Sequence, residues 1–112
     1  MRLWFVETQA FTKRIERLGL DGDLRALQEE LLANPEAGDT DAGTGGLRKI
    51  RMTASSKGKG KRGGARVHYL WLSRHQVIYL LFVYGKGDQD SLDLNQKKQL
   101  KRVVEKIKAE WD

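Results

Sequence analysis

The sequence predicts an α+β domain in which helices pack on a small, largely antiparallel sheet, in the order β-α-α-β-β-β-α. Three observations lead there. Apolar residues recur at helical spacing in two stretches near the start and in one near the end. Between them, over residues 47–84, the period becomes strand-like, in segments rich in β-branched and aromatic residues. The run VIYLLFVY (77–84) is apolar at every position, as expected of a central strand covered on both faces.

Residues 3–6 are a short run of strand formers and make the first strand. Thr8 is placed to cap a helix whose buried stripe is Phe11, Ile15 and Leu18, and Gly19 is placed to end it. Asp21 is expected to cap a second helix carrying Leu24, Leu27 and Leu31, with Pro35 beyond its end. So short a link predicts an antiparallel helical hairpin. Residues 36–46, EAGDTDAGTGG, read as a glycine-rich loop with no core pattern. Strands are expected over 47–52, 66–73 and 77–84, with 73–76 as the connection between the last two. Asn95 is read as the start of the last helix, with Leu100, Val103, Val104, Ile107 and Trp111 on one face and lysines and arginines on the other. No repeat or linker divides the chain, so one domain over 1–112 is expected.

Composition narrows the chemistry. Cysteine is absent and only His68 and His75 carry imidazoles, so neither a disulfide framework nor a structural zinc site is expected, and no cofactor is implied. The apolar start is too short for a signal peptide and no stretch approaches membrane-spanning length, which makes the cytoplasm the expected location and a membrane no partner. The charge is unevenly placed. Residues 47–86 hold ten Lys or Arg and no Asp or Glu, whereas the rest of the chain holds eleven basic and fifteen acidic residues. A segment of +10 beside a remainder of −4 points to a polyanion, nucleic acid before others. The competing reading is a solvated basic loop.

Strand alternation sorts these cations. In LRKIRM, Lys49 and Arg51 share one face while Ile50 and Met52 take the other. In ARVHYLWL, Arg66 and His68 share a face, with Val67, Tyr69 and Trp71 opposite. Pairing the two strands gathers Lys49, Arg51, Arg66 and His68, and Lys86 reaches the same rim from the end of the next strand. Lys57, Lys59, Lys61 and Arg62 on the glycine loop, together with Arg48, extend the field for RNA. Such a cleft can hold RNA, and it can also cleave it, because the ribose 2′-OH is a built-in nucleophile. Arg66 is the best stabiliser of phosphate charge, its planar fork being directed by a strand. A lysine depressed by neighbouring positive charge is one possible base, and His68 is another. A lone strand histidine is more often structural. The segment KGKGKRGG lacks the spacing of a P-loop and does not open a helix.

NPEAGD (34–39), GTGGLRKIR (43–51), SKGKGKRGGAR (56–66) and LFVYGK (81–86) together resemble the RelE/HigB superfamily of type II toxin–antitoxin toxins, and its HigB-type branch in particular. The resemblance covers nearly the whole chain. It implies a RelE-like fold and a ribosome-dependent endoribonuclease that cuts mRNA in the A site. It also implies a cognate antitoxin as partner, with a helix-turn-helix DNA-binding domain, and the ribosome and mRNA as targets. Matched by position, Lys49 and Arg51 fall on the family's basic pair, Arg66 on the arginine at the scissile phosphate, and Lys86 on the basic residue after the last strand's glycine.

Two positions depart from the wider superfamily. Gly87 stands where many members have a second arginine, and Leu92 or Asp93 where they carry a tyrosine. Tyr84, His68 or a loop lysine are the substitutes the sequence offers for proton transfer. The alternative function on the same fold is a ParE-like toxin that poisons DNA gyrase without cleaving RNA, and a third is a plain RNA-binding module.

Overall fold

The computed structural model describes residues 2–55, 58, 60 and 63–111. Its elements are β1 (Trp4–Glu7), α1 (Gln9–Leu18), α2 (Asp21–Ala33), β2 (Asp39–Thr40), β3 (Arg48–Met52), β4 (Ala65–Leu72), β5 (Val77–Gly85) and α3 (Leu94–Trp111). They form a five-stranded mixed sheet in the order β1-β5-β4-β3-β2, in which only β1 and β5 run parallel. The α+β class holds. The strand β2 is an addition to the expected order, because two residues are too few to show an apolar period. Asp39 and Thr40 join the sheet by pairing with Lys49 and Arg48.

Local signals set most of the boundaries. The amide of Phe11 donates to Thr8 Oγ1 at 3.2 Å, and Gly19, at φ 70°, ends α1 in the left-handed conformation that costs glycine least. Asp21 does not cap α2. Leu20 occupies the cap position, with no side-chain bond, while Asp21 lies in the first turn, where its charge suits the positive helix end. Leu20 is buried and Asp21 is exposed, so packing decided the entry. Asp23 accepts from Thr53 Oγ1 and from the amide and hydroxyl of Ser55, tying α2 to the end of β3. The last helix begins at Leu94 rather than Asn95, because Asp93 and Gln96 cap it reciprocally: the Gln96 amide donates to Asp93 Oδ1 at 2.7 Å and the Asp93 amide to Gln96 Oε1 at 3.1 Å.

Two layers of helix cover the two sheet faces. Phe11 and Ile15 of α1, with Leu27 and Leu31 of α2, pack on Ile50, Met52, Val67, Tyr69, Ile78, Leu80 and Val83. On the opposite face Val104 and Ile107 of α3 pack on Leu47, Leu70 and Leu81. The strand β5 is thus buried from both sides, as its unbroken apolar run requires. A bulge makes this possible. His68 stands opposite Phe82 and Tyr69 opposite Leu80, so Leu81 is the extra residue; it turns toward α3 while Leu80 and Val83 both face α1 and α2.

Past the end of β1, side chains close the free edge of β5. The Leu80 and Leu81 carbonyls accept from the amide and hydroxyl of Thr8, and the Val83 carbonyl accepts from Arg14 Nε at 2.8 Å. Arg14 also lies 4.3 Å from the centre of the Phe82 ring. An edge satisfied in this way offers few groups to an incoming strand. Among the described residues, no helix is long and apolar enough to cross a membrane.

Candidate nucleic-acid interface

The sheet register assembles the cations. Arg51 stands directly opposite Arg66, and Lys49 opposite His68, on neighbouring strands β3 and β4. Alternation then gives the four side chains a common face, the one whose other half is roofed by α3 on Leu70 and Leu81. Beyond that roof lies an open groove of about 600 Å³ lined by Lys49, Arg51, Arg66 and Lys86, with Asp39, Asp90, Glu30, Ala37 and Ile50 completing its walls.

Local features fix Arg66 and the backbone at Lys86. Arg66 is 8% exposed, and one terminal nitrogen donates to the Ala65 carbonyl at 3.2 Å, so the guanidinium is set in the groove wall. The end of β4 is in turn fixed by Gly64. A Cβ there would stand 2.1 Å from the Met52 carbonyl oxygen, so only glycine lets the strands close at this point. The Gly64 carbonyl accepts from the amide of Lys86 at 3.0 Å, which brings the end of β5 to the same corner.

Arg48 does not join this group. It points to the other face, donating to the Gly38 carbonyl at 2.8 Å and to Glu36 Oε2 at 3.2 Å. The structure thus places Arg48 apart from the groove cations. Alternation places Arg48 beside Ile50 and Met52, and a nearby carbonyl and carboxylate occupy its fork. Lys57, Lys59, Lys61 and Arg62 lie outside the described residues.

His68 shares the cationic face but does not line the groove. It is fully buried, and its Nε2 lies 2.9 Å from Asp41 Oδ2. Burial lowers its pKa below the ordinary histidine value, against the opposing pull of Asp41. Nδ1 is buried with no partner among the described residues, which fits a neutral ring donating from Nε2, since an imidazolium would leave a buried N–H donor unpaired. Burial alone would raise the Asp41 pKa, but hydrogen bonds from His68 and Lys97 hold the carboxyl below its usual range. Lys97 reaches Asp41 Oδ1 at 3.3 Å and the Ala42 carbonyl at 3.1 Å, so the trio ties the 41–47 loop to α3. The histidine is thus a structural group covered beside the groove.

Tyr84, the other expected substitute base, is also fully buried. Burial pushes its phenol up, with Arg66 opposing, and its hydroxyl donates to the Asp90 carbonyl at 3.3 Å. A buried phenol held above its ordinary pKa is a poor proton acceptor. Sequence reasoning missed the groove carboxylates. Asp39 enters through β2, opposite Lys49, and Asp90 through the turn after Lys86; neither lies in the basic segment that drew attention. Asp39 falls in the stretch read as a loop over 36–46, and Asp90 six residues past the expected strand end at 84, so alternation said nothing of either. No family model matches the chain.

Proposed function

We propose that this chain is a RelE/HigB-type toxin, with a RelE-like fold, that cleaves mRNA in the ribosomal A site. The observation that supports it is the open groove in which Lys49, Arg51, Arg66 and Lys86 converge from three strand ends. Cations gathered along an open groove are suited to phosphate, the guanidinium forks of Arg51 and Arg66 by bidentate bonds and the lysines as point charges.

In the reaction the ribose 2′-oxygen attacks the adjacent phosphorus, and the bond from phosphorus to the 5′-oxygen of the next nucleotide breaks. The products are a 2′,3′-cyclic phosphate and a 5′-OH. Arg66 holds the non-bridging oxygens where negative charge grows, with its fork already oriented by β4. Lys49 and Arg51 hold the flanking phosphates. Asp90 takes the proton from the 2′-OH, its backbone being held by Tyr84, and Lys86 in the same turn supplies a proton to the departing 5′-oxygen. Asp39, facing Lys49 in the register, serves to orient that lysine. The ribosome supplies alignment of the mRNA, which makes a modest base sufficient.

The same reading assigns the chain to the cytoplasm. It pairs the chain with an antitoxin whose acidic segment is captured through the +10 stretch and whose helix-turn-helix domain binds DNA. The test is translation in a purified system followed by primer extension. New mRNA ends within codons, carrying cyclic phosphates, are the expected result. Arrest of translation without new ends would make the protein a binder. Unimpeded translation with loss of gyrase activity would favour the ParE-like alternative.

A further inference from the structure

A second cluster of cations and aromatic rings lies at the far end of β4 from the groove. The β4–β5 turn and the last turn of α3 enclose a cavity of about 230 Å³ lined by Trp71, Ser73, Arg74, His75, Lys108 and Trp111. Its parts are fixed rather than loose. Gln76 takes a left-handed conformation at φ 55° and donates from its side chain to the Ser73 carbonyl at 2.7 Å, while the His75 amide donates to the Leu72 carbonyl. The Trp111 indole N–H donates to the Tyr79 hydroxyl at 2.9 Å, and its ring lies 4.8 Å from that of His75, tilted by 43°. Lys108 gives one of its three N–H groups to the Gly45 carbonyl at 2.8 Å, which holds its ammonium beside the cavity. Arg74 is exposed at the turn. Among the described residues, none of the side chains lining the cavity is acidic, and Glu110, next to Trp111 in the chain, is not part of that lining.

We propose that this turn is a second contact site for single-stranded RNA, which stacks an unpaired base on Trp111 and holds its phosphate on Arg74 and Lys108. Indole faces accept any base, and flanking cations track the backbone, which is the usual chemistry of sequence-tolerant single-strand binding. Arg66 and Trp71 are five residues apart on one strand, roughly 17 Å at the strand rise, so one RNA strand of several nucleotides can reach both. The inference takes RNA as ligand from the proposed function, but its test reads binding and not cleavage.

The experiment uses the full chain carrying Arg66→Ala, so that the probe is not consumed, and a labelled oligouridylate containing 4-thiouridine. Crosslinks mapped by mass spectrometry are expected on Trp111 or His75. Arg74→Glu combined with Lys108→Glu should weaken binding about tenfold. It should also flatten the log–log salt dependence by about 1.4, at ~0.7 for each lost phosphate contact with a single strand. Arg74→Glu alone, which leaves the Lys108–Gly45 tie intact, should still weaken binding severalfold. Unchanged affinity in both variants, or crosslinks confined to the Arg66 groove, would overturn the proposal. So would equally tight binding of duplex RNA. Failure of mRNA cleavage in the unsubstituted chain, with these binding effects retained, would overturn the nuclease reading instead.

Discussion

Arg51 and Arg66 face each other across β3 and β4, two guanidinium groups at opposite positions of one antiparallel ladder. Arg51 is exposed on this face. Arg51→Gln should lower cleavage, because one of the two forks available to phosphate is lost. The accompanying change in unfolding free energy should stay within about 1 kcal/mol, the scale of one cross-strand pair. A larger loss of stability would make Arg51 a structural residue.

Arg66→Ala should abolish translation arrest with the fold intact. Removing a donor to oxygens whose negative charge grows in the transition state is expected to cost about 2.7–4 kcal/mol, a loss of roughly 10²–10³ in rate. The measurement is the rate of mRNA cleavage on programmed ribosomes, alongside circular dichroism. Full activity in a folded variant would remove Arg66 from the mechanism.

Asp90→Asn should reduce the cleavage rate by about 10²–10⁴, the range for losing a positioned base, without weakening mRNA binding. Asp39→Asn should have a smaller effect on rate. Equal losses in the two variants would mean that the carboxylates act only through the overall charge of the groove.

Replacing Lys57, Lys59 and Lys61 together by Gln should weaken ribosome association more than the cleavage step. Lysines alternating with glycines on the loop between β3 and β4 are suited to attracting phosphate rather than to holding transition-state geometry. Association should lose part of its salt dependence. An unaltered salt slope in the triple variant would contradict the role.

The His68–Asp41 pair gives the protein a two-stage response to acid. His68 has a pKa in the folded state below its ordinary 6.5, so the unfolded chain binds the proton first, and stability falls as pH drops through about 6.5. Asp41 is also lowered, from 3.8, so its contribution is present above that value and is lost as pH falls through the folded pKa. Urea unfolding between pH 8 and 5 should show the first stage. His68→Gln, which can still donate to Asp41, should remove it; persistence of the slope in that variant would assign it to another group.

The two central strands, the capped helix α1 and the amphipathic α3 were legible in the sequence because each rests on local rules. Residue type sets the period, Thr8 supplies an acceptor to an orphan amide, and Gly19 tolerates a positive φ. The common face of Lys49, Arg51, Arg66 and His68 was legible for the same reason, since side chains alternate along any strand. Where competing signals met, locality failed. Asp21 is a better cap than Leu20 by residue type, yet burial of Leu20 set the start of α2. Strand β2 carries no apolar pattern and exists because β3 pairs with it.

What the residues determined by themselves is the concentration of positive charge and the faces on which most of it lies. Only the tertiary structure decided which of those groups meet solvent together. It buried His68 against Asp41, turned Arg48 onto the Gly38 carbonyl, and brought Asp39 and Asp90 from separate segments to the groove walls. The reason is physical. Charge and side-chain alternation belong to single residues and their neighbours, whereas burial and the company of a carboxylate arise only when strands distant in the chain are paired and a helix roofs half of one face.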